Sequence, residues 1–202
     1  MIQTDCTPLH GYHRVGRLLL PVKGTPKGTP FFRIYNRADG DWQPAPADWR
    51  FGRVDPPLGF RDEYSVLYGG DCQLTAEFEF RIMRTVHDGT REVVERSFQP
   101  DRQPRLVCHV TRRPLLFVDC DSPMVEALLE GIDHGTVDRR DPWQRLALRI
   151  YRAVTEASHE LVAPIVGMTY RSRHRGCEGA VLAVFDRYRA LALRRGISRI
   201  LA

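Results

Sequence analysis

One long amphipathic stretch, set among short apolar runs, limits what this chain can fold into. Over 142–162, Trp143, Leu146, Ala147, Ile150, Tyr151, Val154, Leu161 and Val162 recur at helical spacing and form one apolar stripe. Asp141 stands where an N-cap belongs, and Pro142 suits a first helical turn. The other apolar runs are shorter and richer in β-branched and aromatic residues. Phe31–Tyr35, Glu63–Tyr68, Leu106–Val110, Leu115–Val118, Ile165–Tyr170 and Ala180–Phe185 read as strands. Gln73–Arg84 reads as a helix with Leu74, Phe78, Ile82 and Met83 on its apolar face and Asp71 as cap. A further helix begins at Asp121 or Ser122 with Pro123 in its first turn and ends near Gly131, and the stretch from Tyr188 reads as helix. Strands, helix, strands, helices, strands is an α+β order and not that of a doubly wound parallel sheet.

The 202 residues are enough for one domain that buries roughly 70% of its unfolded surface, so no metal or disulfide staple is required. Residues 1–30, ending in Gly24-Thr25-Pro26-Lys27-Gly28-Thr29-Pro30, read as an irregular N-terminal arm, and 31–202 as the domain proper. Residues 37–62 are punctuated by Gly40, Pro44, Pro46, Gly52, Pro56, Pro57 and Gly59, and read as a long loop. A loop of that length in a compact domain is usually functional or disordered. Residues 86–104 read as a polar excursion. Apolar content of 43% and charged content of 27% exclude a collagen, a long coiled coil and a disordered chain. No apolar run approaches the ~18 residues of a membrane span, and Leu18-Leu19-Leu20 is too short for a signal-peptide core. The expectation is a cytoplasmic protein without a membrane partner. Cys6, Cys72, Cys108, Cys120 and Cys177 are odd in number and lack C-x-x-C spacing, as expected of reduced thiols.

All but two of the 30 basic residues are arginine, the exceptions being Lys23 and Lys27, and the net charge is +5. Coding bias and a need for bidentate contacts to phosphate or carboxylate both account for this. No Walker A loop, G-x-G-x-x-G, G-x-S-x-G or H-E-x-x-H is present. His174 and Cys177 have H-x-x-C spacing but lack a second ligand pair, so no metal is expected. No helix pattern carries a dense basic face with interleaved aromatics, so direct nucleic-acid binding is not expected.

Four segments stand in order: Phe32-Arg33-Ile34-Tyr35; Arg50-Phe51-Gly52-Arg53-Val54-Asp55-Pro56-Pro57; Tyr68 followed by Thr75-Ala76 and Glu79; and Gly167-Met168-Thr169-Tyr170-Arg171-Ser172-Arg173. Together, over 31–186, they resemble the RES domain, a toxin family named for its arginine, glutamate and serine. The resemblance implies an ADP-ribosyltransferase-like fold of mixed and antiparallel sheets with flanking helices. It implies degradation of NAD, as substrate and not cofactor, and neutralisation by an Xre-type helix-turn-helix antitoxin in a hetero-oligomer. It carries Arg33, Arg53, Tyr68, Glu79 and Ser172 into the functional set. Val54 and Asp55 stand where many members have an aromatic residue and an asparagine.

These residue types suit that chemistry. Two arginines can grip a diphosphate, with Tyr35 and Tyr68 beside the bound nucleotide. Breaking the nicotinamide–ribose bond develops positive charge on the sugar, which a carboxylate stabilises more in the transition state than in the ground state. Glu79 is the candidate for that role, assisted by Arg53 and Ser172; the acceptor is water, phosphate or a protein side chain. Glu77-Phe78-Glu79 also looks like the E-x-E of arginine-directed ADP-ribosyltransferases, which makes transfer to a protein or nucleic acid the alternative. On a helix the two glutamates point about 200° apart and only one can reach the sugar. A third reading is a non-enzymatic, basic nucleic-acid-binding module.

Overall fold

The computed structural model describes residues 10–88, 91–96, 103–130, 141–157, 164–174 and 176–201. Its strands are β1 (His10–Val15), β2 (Leu18–Thr25), β3 (Pro30–Tyr35), β4 (Val66–Gly70), β5 (Met83–Asp88), β6 (Arg91–Arg96), β7 (Arg105–Thr111), β8 (Leu115–Asp119), β9 (Ile165–Arg171), β10 (Ala180–Phe185), β11 (Leu193–Arg194) and β12 (Ser198–Ile200). Its α-helices are α1 (Gln73–Glu79), α2 (Pro123–Glu130), α3 (Asp141–Glu156) and the single turn α4 (Arg189–Ala192). The architecture is mixed α+β.

Ten strands form one sheet in the order β1-β2-β8-β9-β10-β4-β3-β7-β11, with β12 also on β7; β5 and β6 form a separate hairpin. The β8–β9 pair is parallel and the other described pairs are antiparallel. β9 and β10 are buried almost throughout, which is why Ile165–Tyr170 and Ala180–Phe185 read as continuous apolar runs without alternation. At Gly167 a Cβ would lie 1.9 Å from the Ala183 carbonyl oxygen, so only glycine lets β9 and β10 approach this closely. α3 buries Leu146, Ala147, Ile150 and Val154 in the same core as Phe117, Phe185, Ile165 and Met168. Leu161 and Val162 lie outside the described residues.

Three expectations are corrected. Residues 10–25 are not irregular: β1 and β2 pair along their length, and Val22 sits opposite Val118 on β8. Pro21 is tolerated because the β8 ladder begins one residue later, at Val22. The second correction concerns α1, which stops at Glu79 and does not run to Arg84. Arg81 has φ of 61°, Arg81 N–H bonds the Phe78 carbonyl (2.9 Å) and Ile82 N–H bonds the Glu77 carbonyl (2.9 Å). That is a Schellman ending with arginine in the left-handed position that glycine usually takes. Its cap is Cys72, whose sulfur accepts from Thr75 N–H, while Asp71 instead accepts from Thr75 Oγ1 (2.9 Å) and Ala180 N–H (2.9 Å). Third, the C-terminal stretch is one helical turn followed by two short strands on β7, since Gly196 interrupts it between them.

The long loop 37–62 contains a 3-10 turn at Ala47–Trp49 and is tied to the sheet by polar groups. His109 on β7 is fully buried; its Nδ1 accepts from Gly196 N–H (3.1 Å), so its Nε2 carries the proton and donates to the Asp41 carbonyl (2.8 Å). Burial lowers its pKa and keeps it neutral. Among the described residues no helix is long and apolar enough to cross a membrane, and no cluster of three or more His, Cys, Asp and Glu is placed to hold a metal.

Candidate active site

A cleft of about 300 Å³ opens where β3, β4, α1 and the end of β9 meet the long loop. That is the low end of the ~300–1,000 Å³ range of small-molecule sites. Arg33, Gly52, Asp55, Tyr68, Glu79 and Tyr170 contribute to its wall, and Trp49 lies on it from the loop.

Glu79 reaches the cleft because α1 terminates there. Ser172, just past β9, donates from Oγ to Glu79 Oε1 at 2.7 Å, and His174 Nε2 lies 3.9 Å from the same oxygen. The hydroxyl is buried, whereas the Glu79 side chain keeps 31% of its surface open. Ser172 N–H bonds the Gly179 carbonyl at 2.9 Å, which fixes the turn, and the His174 ring stacks on Phe78. The carboxylate is thus oriented by a neutral donor and remains accessible. Glu77, two residues away on the helix, is buried, accepts from Gln73 Nε2 at 2.7 Å and is not on the cleft wall.

Arg33 lies on an interior strand, and its guanidinium is largely committed to the protein. Nε donates to the Gly40 carbonyl (2.7 Å), one terminal nitrogen to the Tyr68 carbonyl (2.9 Å) and the other to the Gln43 carbonyl (3.4 Å). Burial, with Arg37 nearby, pushes its pKa down to about 10. It ties the long loop to β4 from within the cleft wall.

Arg53 is the more available cation. Its guanidinium lies 4.8 Å from the ring centre of Tyr170 and 5.3 Å from that of Trp143, and Arg173 also approaches Trp143 at 5.9 Å. Cation–π contacts of this kind hold a guanidinium in place without consuming its N–H groups. Burial first and Arg173 second lower its pKa, against the Glu79 carboxylate, which raises it.

Tyr68 sits on the cleft wall, where its Oη accepts from Val54 N–H at 3.1 Å. Burial raises its pKa well above the ordinary phenol value. Tyr35 is buried with its ring against Gly40 and is not among the cleft residues. The structure therefore brings Arg33, Tyr68, Glu79 and Ser172 together, sets Arg53 alongside on Tyr170, and leaves Tyr35 apart. Sequence reasoning did not select Asp55, Trp143, Tyr170 or His174. Trp143 reads as helix core, and Asp55 stands out only as a carboxylate flanked by arginines. Compared with family models, curated proteins and solved structures, the chain matches none.

Proposed function

We propose that this protein cleaves the nicotinamide–ribose bond of NAD and acts as a toxin of the RES type, on an ADP-ribosyltransferase-like fold. The observation that carries the reading is the Glu79 carboxylate, held by Ser172 Oγ at 2.7 Å and open to a cleft that also contains Tyr68 and Tyr170. The cleft is sized for the nicotinamide riboside half of a dinucleotide. The diphosphate then lies outside it, against the N–H groups of Arg53 and Arg173.

In this reading nicotinamide leaves as a neutral base with the electrons of the C–N bond, and positive charge develops on the ribose. Glu79 faces that charge and lowers the barrier by stabilising it. Water or inorganic phosphate then bonds to the anomeric carbon. With water the product is ADP-ribose and a proton is released; with phosphate it is ADP-ribose phosphorylated at that carbon. Ser172 is a positioning residue, because it fixes one carboxylate oxygen. Burial of Glu77 favours a single catalytic glutamate and works against transfer to a macromolecule through an E-x-E pair.

A helix-turn-helix antitoxin suits the same surface. Trp49 at the cleft is 67% exposed, and Phe51, Leu58 and Phe60 elsewhere on the same loop are exposed as well, apolar surface of the kind that supports an interaction site. Incubating the pure protein with NAD, with and without phosphate, tests the activity. Free nicotinamide should accumulate with the native chain and not with Glu79→Gln. Equal, background-level release from both rejects the proposal.

A further inference from the structure

We propose that Asp55 is a positioning residue for Arg53: its carboxylate fixes the Gly52–Asp55 turn whose apex presents the Arg53 guanidinium to the Tyr170 and Trp143 rings.

The turn is held at every backbone group that flanks Arg53. Gly52 N–H donates to Asp55 Oδ2 at 2.6 Å, and Asp55 N–H returns to the Gly52 carbonyl at 3.2 Å. That carbonyl also accepts from Gln144 Nε2 on α3 at 2.9 Å. Val54 N–H donates to Tyr68 Oη at 3.1 Å, and the Val54 carbonyl accepts from Tyr64 Oη at 2.9 Å. Tyr68 hydrogen-bonds the Asp55 carboxyl as well. The arrangement requires glycine at 52, where a Cβ would fall 2.4 Å from Tyr68 Oη and 2.9 Å from Asp55 Oδ2. What remains free to project from this closed set of bonds is the Arg53 side chain.

Asp55 is 4% exposed, and burial raises its pKa to about 6 against the opposing hydrogen bonds. Arg50, Arg61 and Arg33 face it and favour the ionised form. The phenols of Tyr64, Tyr68 and Tyr170 also face it, and burial suppresses their ionisation. Only the ionised carboxyl accepts from Gly52 N–H and Tyr68 Oη together without a proton of its own to place. Asparagine can still accept from Gly52 N–H through Oδ1, so Asp55→Asn preserves the turn while removing its titration.

The consequence for turnover rests on the function proposed above; the placement of Arg53 does not. The test follows the Arg53 Nε–Hε resonance in arginine-labelled protein from pH 5 to 8, assigned by its loss in Arg53→Lys. In the native chain it should shift with a midpoint near 6. Asp55→Asn should show no such transition, and in Asp55→Ala the signal should merge with those of solvated arginines. With NAD, Asp55→Ala should raise KM about tenfold with a smaller change in kcat, and Asp55→Asn should restore it at pH 8. A folded Asp55→Ala with an unmoved Arg53 resonance overturns the inference, as does Asp55→Asn that retains the transition. If Asp55→Ala does not fold, the Asp55→Asn titration decides alone. Absence of nicotinamide release by the native chain rejects the NAD reading, and the resonance still decides the role of Asp55.

Discussion

Ser172 and Glu79, 93 residues apart in sequence, share a 2.7 Å hydrogen bond at the mouth of the cleft. The hydroxyl orients one oxygen of the carboxylate. On the proposed NAD-cleaving function, Glu79→Gln should lower kcat for nicotinamide release by roughly a thousandfold, about 4 kcal/mol of transition-state stabilisation, with KM little changed. Ser172→Ala should cost about ten- to a hundredfold, because the carboxylate keeps its charge and loses its orientation. Steady-state kinetics on folded variants checks both, and equal losses in the two would mean that Ser172 does more than position.

Arg33 should behave as a structural residue first. Its three carbonyl partners belong to the loop and to β4, and a lysine ammonium cannot span them. Arg33→Lys should lose about 2–4 kcal/mol of stability, the range for losing charged hydrogen bonds in a buried setting. Denaturant unfolding measures this. A variant of native stability that binds NAD poorly would instead place Arg33 on the substrate.

Asp55 should make stability depend on pH in the direction opposite to most carboxylates. Its folded pKa of about 6 lies above the unfolded value near 3.8. The native state therefore holds the proton more tightly, and the stabilisation is complete below pH 3.8 and lost as pH rises through 6. The loss is about 3 kcal/mol by that difference. Asp55→Asn should then gain on the native protein between pH 4 and 7 and hold a constant advantage above it. Comparing the pair at each pH cancels His109, whose lowered pKa acts in the other sense, removing stability as pH falls below about 6.5. A stability difference that does not vary with pH would contradict the assignment.

The α1 terminus offers a simple gain. An L-residue at positive φ costs roughly 1–2 kcal/mol, and Arg81 is exposed there with φ of 61°. Arg81→Gly should raise stability by about 0.5–1 kcal/mol after the unfolded-state entropy of glycine is counted. A rise of a few degrees in Tm checks it, with the Schellman bonds unchanged.

The sequence carried the centre of the sheet and little of its margins. Phe31–Tyr35, Leu106–Val110, Ile165–Tyr170 and Ala180–Phe185 are strands because apolar runs bounded by turn residues have few alternatives, and the stripe through Leu146, Ile150 and Val154 is a helix for the same reason. Residues 10–25 were hard to read because Pro, Gly and Thr crowd the end of the segment, while β1 and β2 form a local hairpin whose Val22–Thr25 edge is anchored by β8, nearly a hundred residues away. The end of α1 was hidden because arginine occupies a position where glycine is the usual signal. At the site, it was the resemblance to the RES domain that pointed to Glu79, Tyr68 and Ser172. The commitment of Arg33 to backbone carbonyls, the aromatic pair around Arg53 and the bonding of Asp55 depend on contacts between β4, α3 and the loop that no local pattern encodes.

The pairing of Val22 with Val118 also sets a timetable for synthesis. The β1–β2 hairpin leaves the ribosome before β8 and waits for nearly a hundred further residues before that neighbour emerges. At 5–20 residues per second that delay is roughly 5–20 s. Throughout it, the nascent chain displays Val22–Thr25 as an open edge, a template for stray strands. Slowing translation between codons 26 and 115 lengthens the hazard without altering the finished protein.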